Sequence, residues 1–232
     1  MEFATEGPMA IPMWVNGHAF LTVPQDFYTV TNPATGEATH RVPLCGASEA
    51  ASAVQAAQAA QPEWAMMGMP ARRVCLGRLA DALEHYAGHF AKLLTQDCGF
   101  DAERATAEVG EAVAALRSAT VGQTGVIGLV LDAERPLAGF ANSMAPALLA
   151  GATLVVKPSP KAPSAVFALC ELTSREEWPA GVVNLLQGDV AAIEGLCAST
   201  IERLVYCGNA ALGAQVGAIA EAAGKAFELQ AA

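Results

Sequence analysis

Between Gly125 and Pro163 the chain reads GVIGLVLDAERPLAGFANSMAPALLAGATLVVKPSPKAP, and no other stretch restricts the fold as much. Val126 to Leu131 is an apolar run of strand length, rich in β-branched residues. A helical segment follows, with Ala145, Leu148 and Leu149 at helical spacing and Gly151 where a helix would stop. Thr153 to Val156 reads as a second strand, with Lys157-Pro158 at its carboxyl end. Strand, helix and strand within about thirty residues form the βαβ unit of a parallel sheet. Lys157 then lies on the rim where open α/β sheets bind ligands, although a loop-closing lysine fits the same spacing.

The alternation continues to the end of the sequence. Strands are expected at Val182–Leu186, Leu204–Tyr206 and Ala226–Leu229, and helices at Pro136–Ala150, Pro163–Thr173, Val190–Cys197 and Ala210–Ala223. This pattern predicts an α/β fold with a doubly wound, mostly parallel sheet, five-stranded from about residue 125 onward. Residues 1–122 differ in texture. Short strands reach about Val42, with a hairpin turn at Asn16-Gly17 and turn chemistry at Asn32-Pro33 and Thr35-Gly36. Ser48 is the expected cap of an alanine-rich helix that Pro62 ends. Pro70 opens the next helix, whose expected apolar stripe is Val74, Leu76, Leu79, Leu83 and Tyr86. A third helix runs from Asp101 to Leu116. The division expected is residues 1–122, strands and helices packing on the sheet, and residues 123–232, the Rossmann-type domain, together one compact unit.

Charge and cysteines exclude several classes of function. The net charge of −10 and the absence of a basic cluster argue against nucleic acid. Six scattered cysteines without a C-x-x-C pair give neither a zinc pattern nor a disulfide framework. His85 and His89 stand four apart, but no third ligand is near them in sequence, and a helix surface is the expectation. The opening MEFATEGPMA lacks the basic start and apolar core of a secretory signal, and no apolar run is long enough to span a membrane. A cytoplasmic protein with reduced thiols is therefore expected.

Several motifs in order make the sequence resemble the aldehyde dehydrogenase superfamily. They are Val15-Asn16-Gly17, Thr31 to Glu37 (TNPATGE), APALLAGATLVVKPSPKAPSA, Pro179 to Asn184 (PAGVVN) with Gly188, Tyr206 to Asn209 in place of Phe-Thr-Gly-Ser, and Glu228-Leu229 in place of Glu-Leu-Gly-Gly. Members oxidise aldehydes on a cysteine, with NAD(P) as hydride acceptor, an oxyanion donor and a general base. The resemblance implies that the nucleophile's domain lies beyond the Glu-Leu-Gly-Gly motif, outside this sequence, and none of the six cysteines matches it. Glu134 falls where the family's oxyanion-binding asparagine stands, and a carboxylate there repels developing negative charge. Glu228 matches the general base, left without a thioester to serve.

For a cofactor, the resemblance assigns Lys157 to the adenosine ribose and Gly208, Asn209 and Gly213 to a backbone cradle for pyrophosphate at a helix start. Pro160 replaces an acidic ribose ligand, and Asn209 and Ala211 replace a serine and a glutamate. The expectation is no cofactor, with NAD(P) as the alternative. Between Ser118 and Thr124 the segment bearing the family's oligomerisation arm is short. The function expected is a non-catalytic, aldehyde dehydrogenase-like subunit of a protein assembly. Its partner would be a second copy or a full-length relative, held at an exposed flank around Glu134, Cys207 and Glu228. The alternative is a cofactor-binding component whose cysteine comes from another chain.

Overall fold

The computed structural model describes residues 8–22, 26–176 and 178–231; residues 1–7, most of the stretch read for a targeting signal, lie outside them. Strands β1 (Met13–Val15) and β2 (His18–Phe20) form a hairpin, and β3 (Phe27–Thr31) and β4 (Ala38–Pro43) a separate two-stranded ladder. Asn16 and Gly17 have φ of 53° and 76°, the left-handed pair that a two-residue hairpin turn requires. Helices α1 (Ala47–Met66), α2 (Met69–His85), α3 (Ala87–Cys98) and α4 (Ala102–Arg117) follow. The rest alternates: β5 (Val126–Leu131), α5 (Pro136–Ala150), β6 (Thr153–Lys157), α6 (Ser164–Arg175), β7 (Val183–Leu185), α7 (Val190–Ala198), β8 (Arg203–Gly208), α8 (Ala210–Ala222) and β9 (Ala226–Ala231).

The five strands expected from residue 125 onward are all present and parallel, in the order β7-β6-β5-β8-β9. β5 and β6 are neighbours, with Val126 opposite Thr153. The sheet is larger than expected. β1 adds to it antiparallel to β7, with Trp14 opposite Leu185, and β2 follows at the edge, giving seven strands. Alternation along each strand feeds two cores. Ile127, Leu129, Leu131, Leu154, Val156 and Val205 face α5 and α6, behind which α2 and α4 stack. Val126, Val130, Val155, Leu204 and Tyr206 face α1, α7 and α8.

Three local expectations are corrected. α1 does not stop at Pro62 but continues to Met66. The fully buried Trp64 explains this: its indole N–H donates to the Leu148 carbonyl at 3.0 Å and its ring stacks on Trp178 at 5.2 Å. That packing outweighs the roughly 3 kcal/mol cost of an interior proline. The helix is capped at Gly46, not Ser48, and the Glu49 carboxylate reaches back to the Gly46 N–H at 3.1 Å. In α2 only Leu76, Leu79 and Leu83 of the expected stripe are buried, whereas Val74 and Tyr86 are exposed. Val74 sits two residues before Leu76, off the i, i+3, i+4 row, and Tyr86 ends the helix. Buried Arg72 does what no stripe predicts. Its guanidinium donates to the carbonyls of Trp64, Ala65 and Leu149, closing the ends of α1 and α5 together.

Candidate functional site

Beyond the carboxyl ends of β5, β6 and β8 lies a cavity of about 470 Å³. β5 is where the strand order reverses direction, the position at which open α/β sheets take ligands. One wall is apolar, formed by Ile193 of α7 and by Val216 and Ile219 of α8. The polar wall comes from Asp132 and Glu134 after β5, Lys157 at the end of β6, Asp189 before α7, and Tyr206 and Asn209 around β8. Exposed Lys161, Leu212 and Gln215 stand at its mouth. Among the described residues that line it there is no cysteine.

Asp132 is the organising residue. Buried just past β5, it accepts the Glu134 N–H at 2.9 Å through Oδ1 and the Asn209 N–H at 2.8 Å through Oδ2. It thereby ties the turn before α5 to the start of α8. Asn209 in turn caps α8, accepting the Leu212 N–H at 2.9 Å, and its amide donates to the Glu134 carboxylate at 3.3 Å. Gly208 has φ of 156°, and a Cβ there would lie 2.3 Å from Asp132 Oδ2. A Cβ at Gly213 would lie 2.7 Å from the Leu229 side chain, so this glycine lets α8 settle on the sheet. Both glycines thus have packing reasons that precede any ligand. Lys157 and Asn209 do meet in the cavity, and Gly208 lies beside them in the chain fold.

Lys157 is only 3% exposed. Burial, opposed by the negative charge of Asp189, brings its ammonium down to about 8. Tyr206 stands where the family has phenylalanine. Its hydroxyl is buried without a hydrogen-bond partner, and burial, helped by Asp132 and Glu134, pushes it up to about 12. Sequence reasoning passed over Asp132, Asp189 and the Tyr206 hydroxyl. A carboxylate directly after an all-apolar strand was the available signal for Asp132.

Glu228 lies elsewhere. It projects from β9 on the α5 face of the sheet, 3.7 Å from the Arg203 guanidinium, and accepts the Gln230 amide at 2.7 Å. With Ser143, Arg203 and Gln230 it lines a separate groove of about 200 Å³. Lys157 faces α7 and α8, so the two residues address opposite faces of the sheet. Glu134 is exposed at the turn between strand and helix. Cys207 is the small core-facing residue that its place in the sequence suggests and is not part of an exposed flank: it is buried beneath α5, where a Cβ at Gly139 would come within 3.1 Å of its Sγ. Burial pushes its thiol up, away from the reactive thiolate. His85 ends α2 while His89 lies in α3, and among the described residues no group of three His, Cys, Asp or Glu is placed to hold a metal. No helix among them is long and apolar enough to cross a membrane.

A doubly wound sheet with a ligand-sized cavity at its switch point defines the class of nucleotide-binding α/β folds. The family profile described as "Aldehyde dehydrogenase family" matches residues 21–231, and the chain belongs to that family. N-succinylglutamate 5-semialdehyde dehydrogenase of Caulobacter sp. (strain K31) is 32% identical over 212 residues, which cover 80% of this chain and 43% of that protein. Glutarate-semialdehyde dehydrogenase of Pseudomonas putida is 28% identical, covering 81% and 44%. The chain thus spans less than half the length of these relatives. Among solved structures, lactaldehyde dehydrogenase from Escherichia coli superposes with a TM-score of 0.89 at 24% identity, covering 97% of this chain and 52% of that one. A mutant aldehyde dehydrogenase C from Pseudomonas syringae, in complex with NAD+ and octanal, superposes at 0.87 and 25%, covering 95% and 50%.

Proposed function

We propose that this chain is the cofactor-binding component of an NAD(P)-dependent aldehyde oxidoreductase and does not oxidise aldehydes by itself. The observation that carries the reading is the cavity at the strand ends. Its residues suit the nucleoside part of a dinucleotide. The slot between Ile193, Val216 and Ile219 accepts a flat base, and Lys157 offers a donor to sugar oxygens. The start of α8 lies at the same cavity and favours an anion, opposed by the exposed Glu134 carboxylate, which must turn away. When bound, the dinucleotide supplies the hydride acceptor. Family membership and the NAD+-bound relative favour this reading over the expectation of no cofactor. The carboxylate at position 134, where the resemblance puts an oxyanion donor, supports the loss of independent oxidation. Calorimetric titration with NAD and NADP tests it: saturable one-to-one binding is expected, and absence of heat at millimolar dinucleotide overturns it.

A second reading, a structural or regulatory subunit of a protein assembly, is favoured by the groove on the α5 face. There the Arg203 Nε is buried without a hydrogen-bond partner, and exposed Val121 stands at the rim. Its partner would be another copy or a full-length relative. Light scattering of the chain alone and mixed with such a relative decides between a complex and two unchanged species.

A further inference from the structure

Tyr206 lines the cavity, yet neither the fold nor the dinucleotide reading gives its hydroxyl a task. The residue points from β8 into the core under α7 and α8 and is only 2% exposed. Its buried oxygen finds no hydrogen-bond partner among the described residues. The nearby Asp132 carboxylate is already engaged, Oδ1 by the Glu134 N–H and Oδ2 by the Asn209 N–H. A buried hydroxyl left in this way weakens a fold. Phenylalanine, which the family has at this place, would fill the same volume without that penalty.

Gly208 gives the hydroxyl a direction. A Cβ at that position would lie 2.7 Å from the Tyr206 oxygen and 2.3 Å from Asp132 Oδ2. Because glycine has none, the oxygen lies against the bare backbone of the turn that leads into α8. The first N–H groups of a helix have no partner inside it and favour an anion. α8 is thirteen residues long, and its N-cap Asn209 lines the same cavity. An unused hydroxyl donor and a helix start therefore converge on one place.

We propose that Tyr206 is an additional ligand-contact residue, its hydroxyl donating a hydrogen bond to a phosphate oxygen of the dinucleotide where that group meets the start of α8. The contact rests on the dinucleotide reading above and adds to it a residue that the resemblance does not assign. The hydroxyl keeps its proton at neutral pH, because burial, helped by Asp132 and Glu134, holds it at about 12. It meets a phosphate as a neutral donor. The ligand thus supplies the acceptor that the fold withholds. A tyrosine that only supported the core would lose stability with its hydroxyl, whereas this one loses affinity.

Tyr206→Phe separates the two roles in the whole chain. Without ligand, the variant is expected to melt at or above the Tm of the parent. Its Kd for NAD, from a ligand-detected NMR titration, is expected to rise about tenfold or more, the loss that follows removal of a hydrogen bond to a charged oxygen. Adenosine, which has no phosphate, is expected to bind parent and variant alike. NAD affinities that agree within about twofold overturn the proposal. Weaker binding accompanied by a lowered Tm also overturns it, because Tyr206 is then core support. An equal loss for adenosine overturns it too, by putting the contact away from the phosphates. A parent chain that binds neither NAD nor adenosine overturns the dinucleotide reading itself, and this contact with it.

Discussion

Helix α5 opens beside the candidate site, and its first turn depends on a carboxylate from another helix. Arg135 precedes the helix but provides no side-chain cap, and Pro136 has no N–H to satisfy. The next two N–H groups, of fully buried Leu137 and Ala138, both donate to Oε1 of Glu108 on α4, at 3.2 and 3.0 Å. Glu108→Ala leaves both donors buried and unpaired. At about 1–3 kcal/mol per orphaned group, and with some relief from no longer burying a carboxylate, the expected loss is about 2–5 kcal/mol. For a chain of this size that is a fall in Tm of roughly 5–15 °C. Glu108→Gln keeps an acceptor oxygen and removes the charge, so its loss is much smaller. Burial raises the Glu108 carboxyl above its ordinary value, against the pull of the Ala138 N–H and Arg135. A raised folded value favours the neutral form in the native state. Its contribution is therefore complete below the ordinary carboxylate range and declines as pH rises through the raised value. The difference between the Gln variant and the parent should accordingly move in favour of Gln from about pH 4 upward. Urea denaturation followed by circular dichroism across that range measures both effects. A Glu108→Ala loss below about 1 kcal/mol, or a Gln variant as damaged as Ala, refutes the capping argument.

Two further substitutions test the frame around the sheet. Gly181→Ala is expected to destabilise the chain by more than about 2 kcal/mol, because φ is +88° and the new Cβ would meet the Ala56 carbonyl oxygen at 2.6 Å; a melt by differential scanning calorimetry within a degree of the parent contradicts this. Asn184→Ala is expected to cost about 2–4 kcal/mol, because its buried amide donates to Leu154 and Gly181 and accepts the Asn16 N–H at 3.0 Å. Hydrogen exchange should then quicken first at Asn16, and unchanged protection there counts against the link.

The α/β alternation was legible because β5 and β6 are short apolar runs closed by turn residues, and the end of α5 at Gly151 is a φ of 93° that glycine supplies cheaply. Local chemistry also set the Asn16-Gly17 turn. What escaped was decided by distant contacts. Pro62 looks like a stop until Trp64 is seen anchored on Leu148, and Arg72 looks like surface until its carbonyl partners on α1 and α5 are known. At the site, Lys157 and Asn209 were readable from their places at a strand end and a helix start. Strand parity alone separates Lys157 from Glu228, but only once β9 is known to pair with β8 in register. The orphaned Tyr206 hydroxyl is a property of its surroundings, and no pattern of neighbours in sequence encodes it.

The antiparallel seat of β1 against β7 constrains the order in which the molecule can be assembled. Trp14 must find Leu185, and the Asn16 N–H must find the Asn184 amide, across a separation of 168 residues. During synthesis the first hairpin emerges long before its dock exists. At ordinary elongation rates of about 5–20 residues per second it waits on the order of ten seconds or more. Helices α2, α3 and α4 can make their mutual contacts in that interval, whereas α1 waits for the strands and α7 it packs on. Closing such a long loop late makes this contact a slow step of folding. A nascent chain stalled before β7 therefore presents its first hairpin to whatever else can pair with it.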